Sequence, residues 1–442
     1  MAGGSRVFRV VCLIALLAPW PASAQDTDTP LSLLLVNLIQ AEVRLAPPPP
    51  GFVTHEAHFV PGVDQTLIPA LFNQQIVSQI ASFPIGSPSG GFSFKFDAAS
   101  GTFERVTNSF GPAFAERALT NGRGKFTFGA NYQYSKYNSF EGQSLDSGDI
   151  KFYLEHEDVP DRIFFEGDLV QTALRLDLTS ATTTLFANYG ITDALDVAVA
   201  VPIVRVKMDA HIDATVLRLA TGDLNIHAFP GGSTTETFSD AGEANGIGDM
   251  LLRAKYRFAS QPGGGVAVGL DVRLPSGDSE ELLGTGATSA TITLIGSSSR
   301  GRWAPHFNIG FFATGDSDVA PLYNEFNYKV GTEFVAAQRV TLSADFVGRS
   351  LMDATRLTLT DVTHSYFSPT GVPGSSTFEE YAPKPPSGGG LFDSTLNLMS
   401  MAIGGKFNVA GQFLINANVL VALNNAGLTA RFTPVIGFDY TF

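Results

Sequence analysis

The end of the chain alternates. Phe432, Pro434, Ile436, Phe438, Tyr440 and Phe442 share one face, and Arg431, Thr433, Val435, Gly437, Asp439 and Thr441 share the other. A period of two with one apolar face is a strand that meets apolar surroundings on one side only. The same rhythm recurs upstream. Phe126, Phe128, Ala130, Tyr132 and Tyr134 mark a first strand, and residues 169–189 a second. Leu195, Val197, Val199, Val201 and Ile203 mark a third. The fourth is the clearest, with Leu252, Ala254, Tyr256 and Phe258 opposite Asp249, Leu251, Arg253, Lys255 and Arg257. Val266 to Leu274 gives a fifth, and a weak sixth lies near 290–296. Later strands centre on Ile309, Val330, Leu342, Ile403 and Val419, which with the terminal strand makes about twelve.

The joints between these strands alternate in length. Those at 190–194, 259–264, 297–302, 336–339 and 410–411 are short, and those at 138–168, 213–245, 275–289 and 353–394 are long. Outer-membrane barrels place short turns at the periplasmic end and long loops outside. Twelve strands keep that parity and an odd number breaks it; a pair from 353–394, or the hairpin near Phe92, would make fourteen. Outward aromatics (Tyr189, Tyr256, Phe258, Phe334, Phe407, Phe413, Tyr440 and Phe442) cluster near the short-joint end, as an interfacial ring does. The expected fold is all-β: a closed antiparallel transmembrane β-barrel over 111–442 with an N-terminal non-barrel segment.

Residues 1–24 read as a secretory signal. Arg6 and Arg9 precede an apolar run, and Ala22-Ser23-Ala24 is a cleavage motif. The run is too short to span a bilayer. Cys12 is the only cysteine, so none remains beyond the signal. No later segment has the long uncharged run of a spanning helix, which leaves closed strands as the way to satisfy the backbone in lipid. Gly (45), Phe (35) and only 16% charged residues suit strands between lipid and a wet interior. Without the two signal arginines, 26 basic residues stand against 42 acidic, a net −16 that argues against nucleic acid as a partner.

Residues 25–110 are not barrel-like. The pattern predicts helices over 31–45 and 68–80, a stop at the proline run 47–50, and a hairpin of 92–97 with 102–106. A periplasmic or plug segment is the expectation.

Several stretches resemble one family. The terminal strand ending in Phe438, Tyr440 and Phe442 looks like the assembly signal read by the barrel-assembly machinery of Gram-negative bacteria. Residues 188–203 (NYGITDALDVAVAVPI), 246–258 (GIGDMLLRAKYRF), 273–286 (RLPSGDSEELLGTG) and 114–129 resemble the outer-membrane barrels grouped as "MetA-pathway of phenol degradation" proteins. That resemblance covers about 110–442. It implies outer-membrane export and a porin-like transporter linked to aromatic uptake, and it supplies no catalytic residues. The expected function is a passive channel for small hydrophobic or aromatic solutes, with outer-membrane lipid and lipopolysaccharide around it. The alternatives are a lipid hydrolase and a structural or adhesive barrel.

The candidate lumen-lining residues are Arg253, Lys255, Arg257, Asp271, Arg273, Lys329, Glu333, Asp345, Arg431 and Asp439. The basic row 253–257 is either a ladder neutralised by acids opposite or a stripe guiding anions and aromatic acids. Arg205 and Lys207 would meet lipopolysaccharide phosphates unless a bulge at Pro202 flips the phase. His55 and His58, and the acidic patches 155–158 and 278–281, are weak cation ligands, and neither a metal nor a cofactor is expected. His364 beside Ser365 is the nearest approach to a hydrolase pair; no nucleophile elbow, phosphate loop or zinc signature occurs, so no enzyme is expected.

Overall fold

A computed structural model of the chain describes residues 29–39, 43–47, 59–61, 67–81, 91–97, 102–156, 167–221, 227–317, 322–368, 370–384 and 395–442. Residues 1–24, expected as a signal, His55, His58 and residues 157–158 lie outside the described residues.

Twelve strands form the wall. They are β1 (Phe126–Tyr137), β2 (Leu169–Gly190), β3 (Leu195–Leu217), β4 (Leu251–Gln261), β5 (Gly264–Arg273) and β6 (Ser289–Ser297). Then come β7 (Trp303–Thr314), β8 (Glu325–Ala337), β9 (Val340–Leu351), β10 (Leu396–Ala410), β11 (Phe413–Ala422) and β12 (Phe432–Thr441). Each pairs antiparallel with its neighbours in sequence, and β12 returns to β1 from Val435↔Gln133 to Thr441↔Thr127. The ring is closed, so no edge offers unpaired amides to hydrocarbon. The tightest joints use glycine where a left-handed backbone is required, at Gly263 (φ +73°) and Gly411 (φ +57°). Residues 353–394 add no strands to the ring. Residues Arg356–Phe367 and Pro373–Lys384 pair only with each other, as do Phe94–Asp97 and Thr102–Arg105.

The outer surface of the ring is apolar. Val197 and Val199, Leu252 and Tyr256, Ile292 and Leu294, Phe307, Ile309 and Phe311 all point outward and are exposed. Tyr189, Phe258, Phe407, Tyr440 and Phe442 extend that surface to the short-turn end, and Trp303 lies tilted against Phe334 there at 4.7 Å. Such a surface suits lipid and would be unstable in water, which makes this a transmembrane barrel.

β2 and β3 are 22 and 23 residues long and project well beyond the belt. Along β3 the outward row changes chemistry after Ile203. Arg205, Lys207, Asp209, His211 and Asp213 follow it, while Val204, Val206, Met208, Ala210, Ile212 and Ala214 on the inner face are buried. Pairing with β2 is continuous from Leu169↔Leu217 to Gly190↔Asp196, with Pro202 opposite Thr184. The bulge considered at Pro202 is therefore absent, and the phase is kept. What inverts is the solvent: lipid lies outside the lower rows and water outside the upper ones. Arg205 pairs with Glu243, and Lys207 with Asp209.

The sequence pattern leaves 213–245 as loop, yet Thr235–Ile247 pairs with the upper part of β3. Ile150–His156, also expected as loop, pairs with the upper part of β2. These strands build an extramembrane dome at the long-loop end, with an apolar interior. The N-terminal segment fills it. The helix expected over 31–45 is shorter, a turn at Leu31–Leu33 running into Leu34–Asn37. Helix α1 (Leu67–Ala81) matches its expectation, with Pro69 in the first turn, where a missing N–H costs no bond. Leu34, Leu35, Leu38, Phe72 and Ile76 are buried in one cluster with Leu176, Val206 and Met208. Phe72 stacks on Phe140 at 4.2 Å. The acidic patch 278–281 takes part here: the Glu280 carbonyl accepts from the Ser32 amide at 2.9 Å and the Glu281 carboxylate from the Leu31 amide at 3.3 Å.

Replacing Ile309 in the belt with Arg should lower the unfolding free energy in lipid by ~2–4 kcal/mol, whereas Ser239→Arg, exposed opposite His211 on the wet outer face beside β3, should change it by less than about 0.5 kcal/mol. Urea titration in vesicles followed by tryptophan fluorescence measures both.

Candidate functional site

Residues 109–122 are all buried, yet they form neither helix nor strand. A buried irregular segment must find partners for its backbone amides outside its own structure. Here the barrel wall supplies them. The Phe110 amide donates to Thr341 Oγ1 at 3.1 Å, and the Gly111 amide to Glu333 Oε2 at 2.9 Å. Asp345 Oδ2 accepts from the amides of Ala113 (3.2 Å), Phe114 (3.1 Å) and Ala115 (3.4 Å). The Glu116 amide donates to Asn308 Oδ1 at 2.7 Å, and Asn308 Nδ2 donates back to the Glu116 carbonyl at 2.9 Å. The Ala118 amide reaches Ser297 Oγ at 3.0 Å, and the Asn121 amide reaches Asp196 Oδ2 at 2.9 Å. In chain order the acceptors sit on β9, β8, β9 again, β7, β6 and β3. The segment is a strap that runs across the inside of the barrel, from β9–β11 to β3 and β4.

Its carbonyls are met by cations. Lys255 Nζ donates to the carbonyls of Leu119 (2.8 Å) and Arg117 (3.2 Å), and Lys329 Nζ to that of Phe114 (2.9 Å). Charge-assisted bonds of this kind are the stronger class. Small apolar contacts complete the seat. Phe114 packs with Val347, Ala402 and Leu420, and Phe110 with Phe92 and Leu414.

The candidate lumen residues fall into three places. Glu333, Asp345 and Asp439 are buried and hold backbone amides, Asp439 that of Gly91 at 3.1 Å. Arg253, Lys255, Asp271, Arg273 and Lys329 line a cavity of about 110 Å³ beside Glu116. Arg257 donates to the Asp193 carbonyl at 2.7 Å near the short-turn end, and Arg431 is exposed beside the Phe432 ring, apart from the cavity. Of the terminal aromatics, Phe438 lies near Phe128 and Phe413, and Phe442 near Phe126 and Tyr440. His364 belongs to the hairpin 356–384, where its Nε2 lies 3.2 Å from the Gly167 carbonyl.

Within the cavity, Arg253 bridges Asp271 and Glu116, the latter at 2.6 Å. Arg349 holds Glu325 through two nitrogens. Sequence reasoning missed Glu116, Glu325 and Arg349. The period of two carries the last two, since Glu325 is in phase with Lys329 and Glu333, and Arg349 with Asp345. His306 was also missed; its Nε2 lies 2.8 Å from Asp345 Oδ1 and orients that carboxylate from behind.

In the dome, outside the membrane, Asp168 is fully buried with its Oδ2 2.7 Å from His227 Nδ1. Burial alone would raise the carboxyl. The His227 contact and the amides of Ala220 and Thr221 outweigh it and hold the pKa below the ordinary value.

A lumen crossed by its own chain, inside an apolar wall, defines an occluded transmembrane barrel. Residues 165–351, from the approach to β2 through β9, match the family described as "Putative MetA-pathway of phenol degradation", and the resemblance drawn from sequence holds over that stretch, somewhat under half of the chain. No curated protein matches the chain. Among solved structures, the chain is similar to the COG4313 outer membrane channel from Pseudomonas putida F1, at 12% identity over 74% of this chain and 98% of that one, with a TM-score of 0.43. It is also similar to a Pseudomonas aeruginosa FadL homologue, at 10% identity over 83% and 97% (TM-score 0.31). The Ralstonia pickettii toluene transporter TbuX gives 11% identity over 73% and 90% (TM-score 0.27). At these scores none of them carries a function over.

Removing the strap's main anchor should loosen it. Asp345→Ala loses acceptors for three amides, each bond to a charged group worth ~1.5–3 kcal/mol. Trypsin cleavage after Arg117 should rise more than about tenfold, the equivalent of ~1.4 kcal/mol, while the barrel stays folded. Timed digestion with mass spectrometry reads this out. In the dome, the contribution of Asp168 is full above the ordinary carboxylate range and is lost as pH falls through its lowered value. Protection of the Ala220 and Thr221 amides, taken relative to their intrinsic exchange rate at each pH, should therefore fall on acidification below about pH 4, and Asp168→Asn should lower that protection already at neutral pH.

Proposed function

We propose that the chain is an outer-membrane channel for passive uptake of small hydrophobic or aromatic solutes. It is exported through the signal over 1–24, and residues 25–110 together with the strap form its hatch. Short turns and both barrel ends then face the periplasm, and the dome faces outward. The observation that carries this reading is the strap itself. It crosses the lumen on hydrogen bonds and ion pairs to the wall, which exchange with water on opening far more readily than packed apolar surface does. The family description adds a link to aromatic compounds.

A sealed structural barrel is the second reading. The apolar packing of residues 31–39 and α1 inside the dome favours it. The two readings separate in proteoliposomes given external radiolabelled phenol. A channel gives uptake above protein-free vesicles, rising at least about threefold in Asp345→Ala, whose strap is released. No protein-dependent flux in either form overturns the channel reading and leaves the sealed barrel.

A further inference from the structure

Above the membrane the wall is no longer closed. β5 ends at Arg273, opposite Leu251, and the last rung there is the Leu274 amide donating to the Met250 carbonyl at 2.8 Å. The strand Thr235–Ile247 stands higher, along β3, and among the described residues nothing pairs with its other side. The Val216 amide donates to the Thr234 carbonyl and the Gly248 amide to the Pro202 carbonyl. Even-numbered residues of this strand therefore turn their backbone groups to β3, and odd-numbered ones turn them away. Local side chains answer part of that edge. Ser233 Oγ accepts from the Thr235 amide and donates to its carbonyl, and Asp240 Oδ1 accepts from the Ala241 amide. The amides of Thr237, Ser239, Glu243, Asn245 and Ile247 have no partner among the described residues. A long exposed edge of this kind is a template for one more strand.

Side-chain chemistry selects which strand it takes. Residues 235–247 hold three acids, Glu236, Asp240 and Glu243, and no base. The cations on the outward row of β3, Arg205 and Lys207, are matched by Glu243 and Asp209, and Arg175 of β2 is matched by Asp213. Glu236 and Asp240 lie on the opposite, half-buried row with Phe238 between them, and neither has an ion-pair partner among the described residues. Phe238 rests against Phe229 at 5.7 Å. Leu283 lies against Gly246 and carries the exposed Asp278 and Glu280 to the foot of the same edge. Opposite charges across a strand pair stabilise it, and like charges oppose it. A strand that sets a cation opposite Glu236, an apolar side chain opposite Phe238 and a cation opposite Asp240 fits, and an acidic strand is rejected. A second copy of this chain brings the same acids, and antiparallel pairing of two such edges would invert one barrel in the membrane relative to the other.

We propose that the edge of Thr235–Ile247 is a docking site for an extended basic polypeptide segment, which joins the dome as an additional strand. Backbone hydrogen bonds supply the affinity, and Glu236, Phe238 and Asp240 supply the choice of side chains. The inference goes beyond the channel reading and stands without it, because the edge belongs to the dome and not to the lumen.

The test uses the full-length mature protein in detergent micelles and a fluorescein-labelled peptide, Thr-Lys-Thr-Val-Thr-Lys-Thr, which presents the same order of side chains in either direction. Fluorescence anisotropy should show saturable binding, at least tenfold tighter than that of the same peptide with glutamate for lysine. N-methylation of one alternating set of peptide amides should abolish binding, and methylation of the other set should leave it within about threefold, because only one set faces the edge. Glu236→Gln combined with Asp240→Asn should weaken the lysine peptide at least tenfold. Ser239→Pro, which removes an edge amide and leaves the ladder to β3 intact, should do the same. Equal binding of the lysine and glutamate peptides, equal effects of the two methylated sets, or binding unchanged in both protein variants overturns the proposal. No binding up to about 1 mM peptide overturns it as well. Dimers that form in micelles and dissolve on Ser239→Pro, without peptide binding, assign the edge to a second copy and overturn the basic partner.

Discussion

The need to satisfy every backbone amide away from water governs this molecule twice. In the wall it forces closure. Twelve strands return on themselves, β12 to β1, because an open edge in hydrocarbon would leave a row of unpaired donors and acceptors. In the lumen it governs the strap, which is buried but has no ladder of its own. Carboxylates, an amide and hydroxyls on successive strands take over the work that neighbouring backbone does in a sheet. Charge in the lumen is thus first a device for holding chain.

The dome follows from the same strands meeting a different solvent. Up to Ile203 the outward face of β3 is apolar and the inner face is small or polar. Beyond it Arg205 and Lys207 point outward, while Val204, Val206 and Met208 point inward. Register does not slip, so the change lies wholly in side-chain chemistry. Inside the membrane the barrel needs a wet interior. Above it, the barrel behaves as a water-soluble protein does and needs an apolar core. The N-terminal leucines and α1 provide that core, which explains why a segment with no barrel character is rich in Leu, Ile and Phe.

Much of the wall was legible because alternation between two solvents is a local signal. All twelve strands, the weak sixth included, stand where period-two runs predict them, and the short and long joints alternate as expected. The strands at Thr235–Ile247 and Ile150–His156 escaped notice because they alternate between water and the dome core, without the aromatic-rich outer row of a lipid-facing strand. The strap was the least legible part. Residues 114–129 read as a lead-in to the first strand by resemblance, because a backbone amide seeking a carboxylate leaves no trace in side-chain pattern. The partners lie about 75 to 232 residues away in sequence, from Asp196 for Asn121 to Asp345 for Ala113. Inward carboxylates on consecutive strands were visible, but what they hold was not.

The boundary between the two solvents is the most direct point at which to test the account. Cys12 is the one cysteine of the sequence, so with Cys12→Ser a single cysteine can be placed at each outward position of β3 without a competing thiol. Cysteines at Val197, Val199, Val201 and Ile203 should be quenched by a lipid-confined probe and ignored by a charged aqueous thiol reagent. Those at Arg205, Lys207 and Asp209 should show the reverse. A gradual change along the row, or aqueous labelling at Val199, would contradict a barrel whose wall passes from hydrocarbon to water between Ile203 and Arg205.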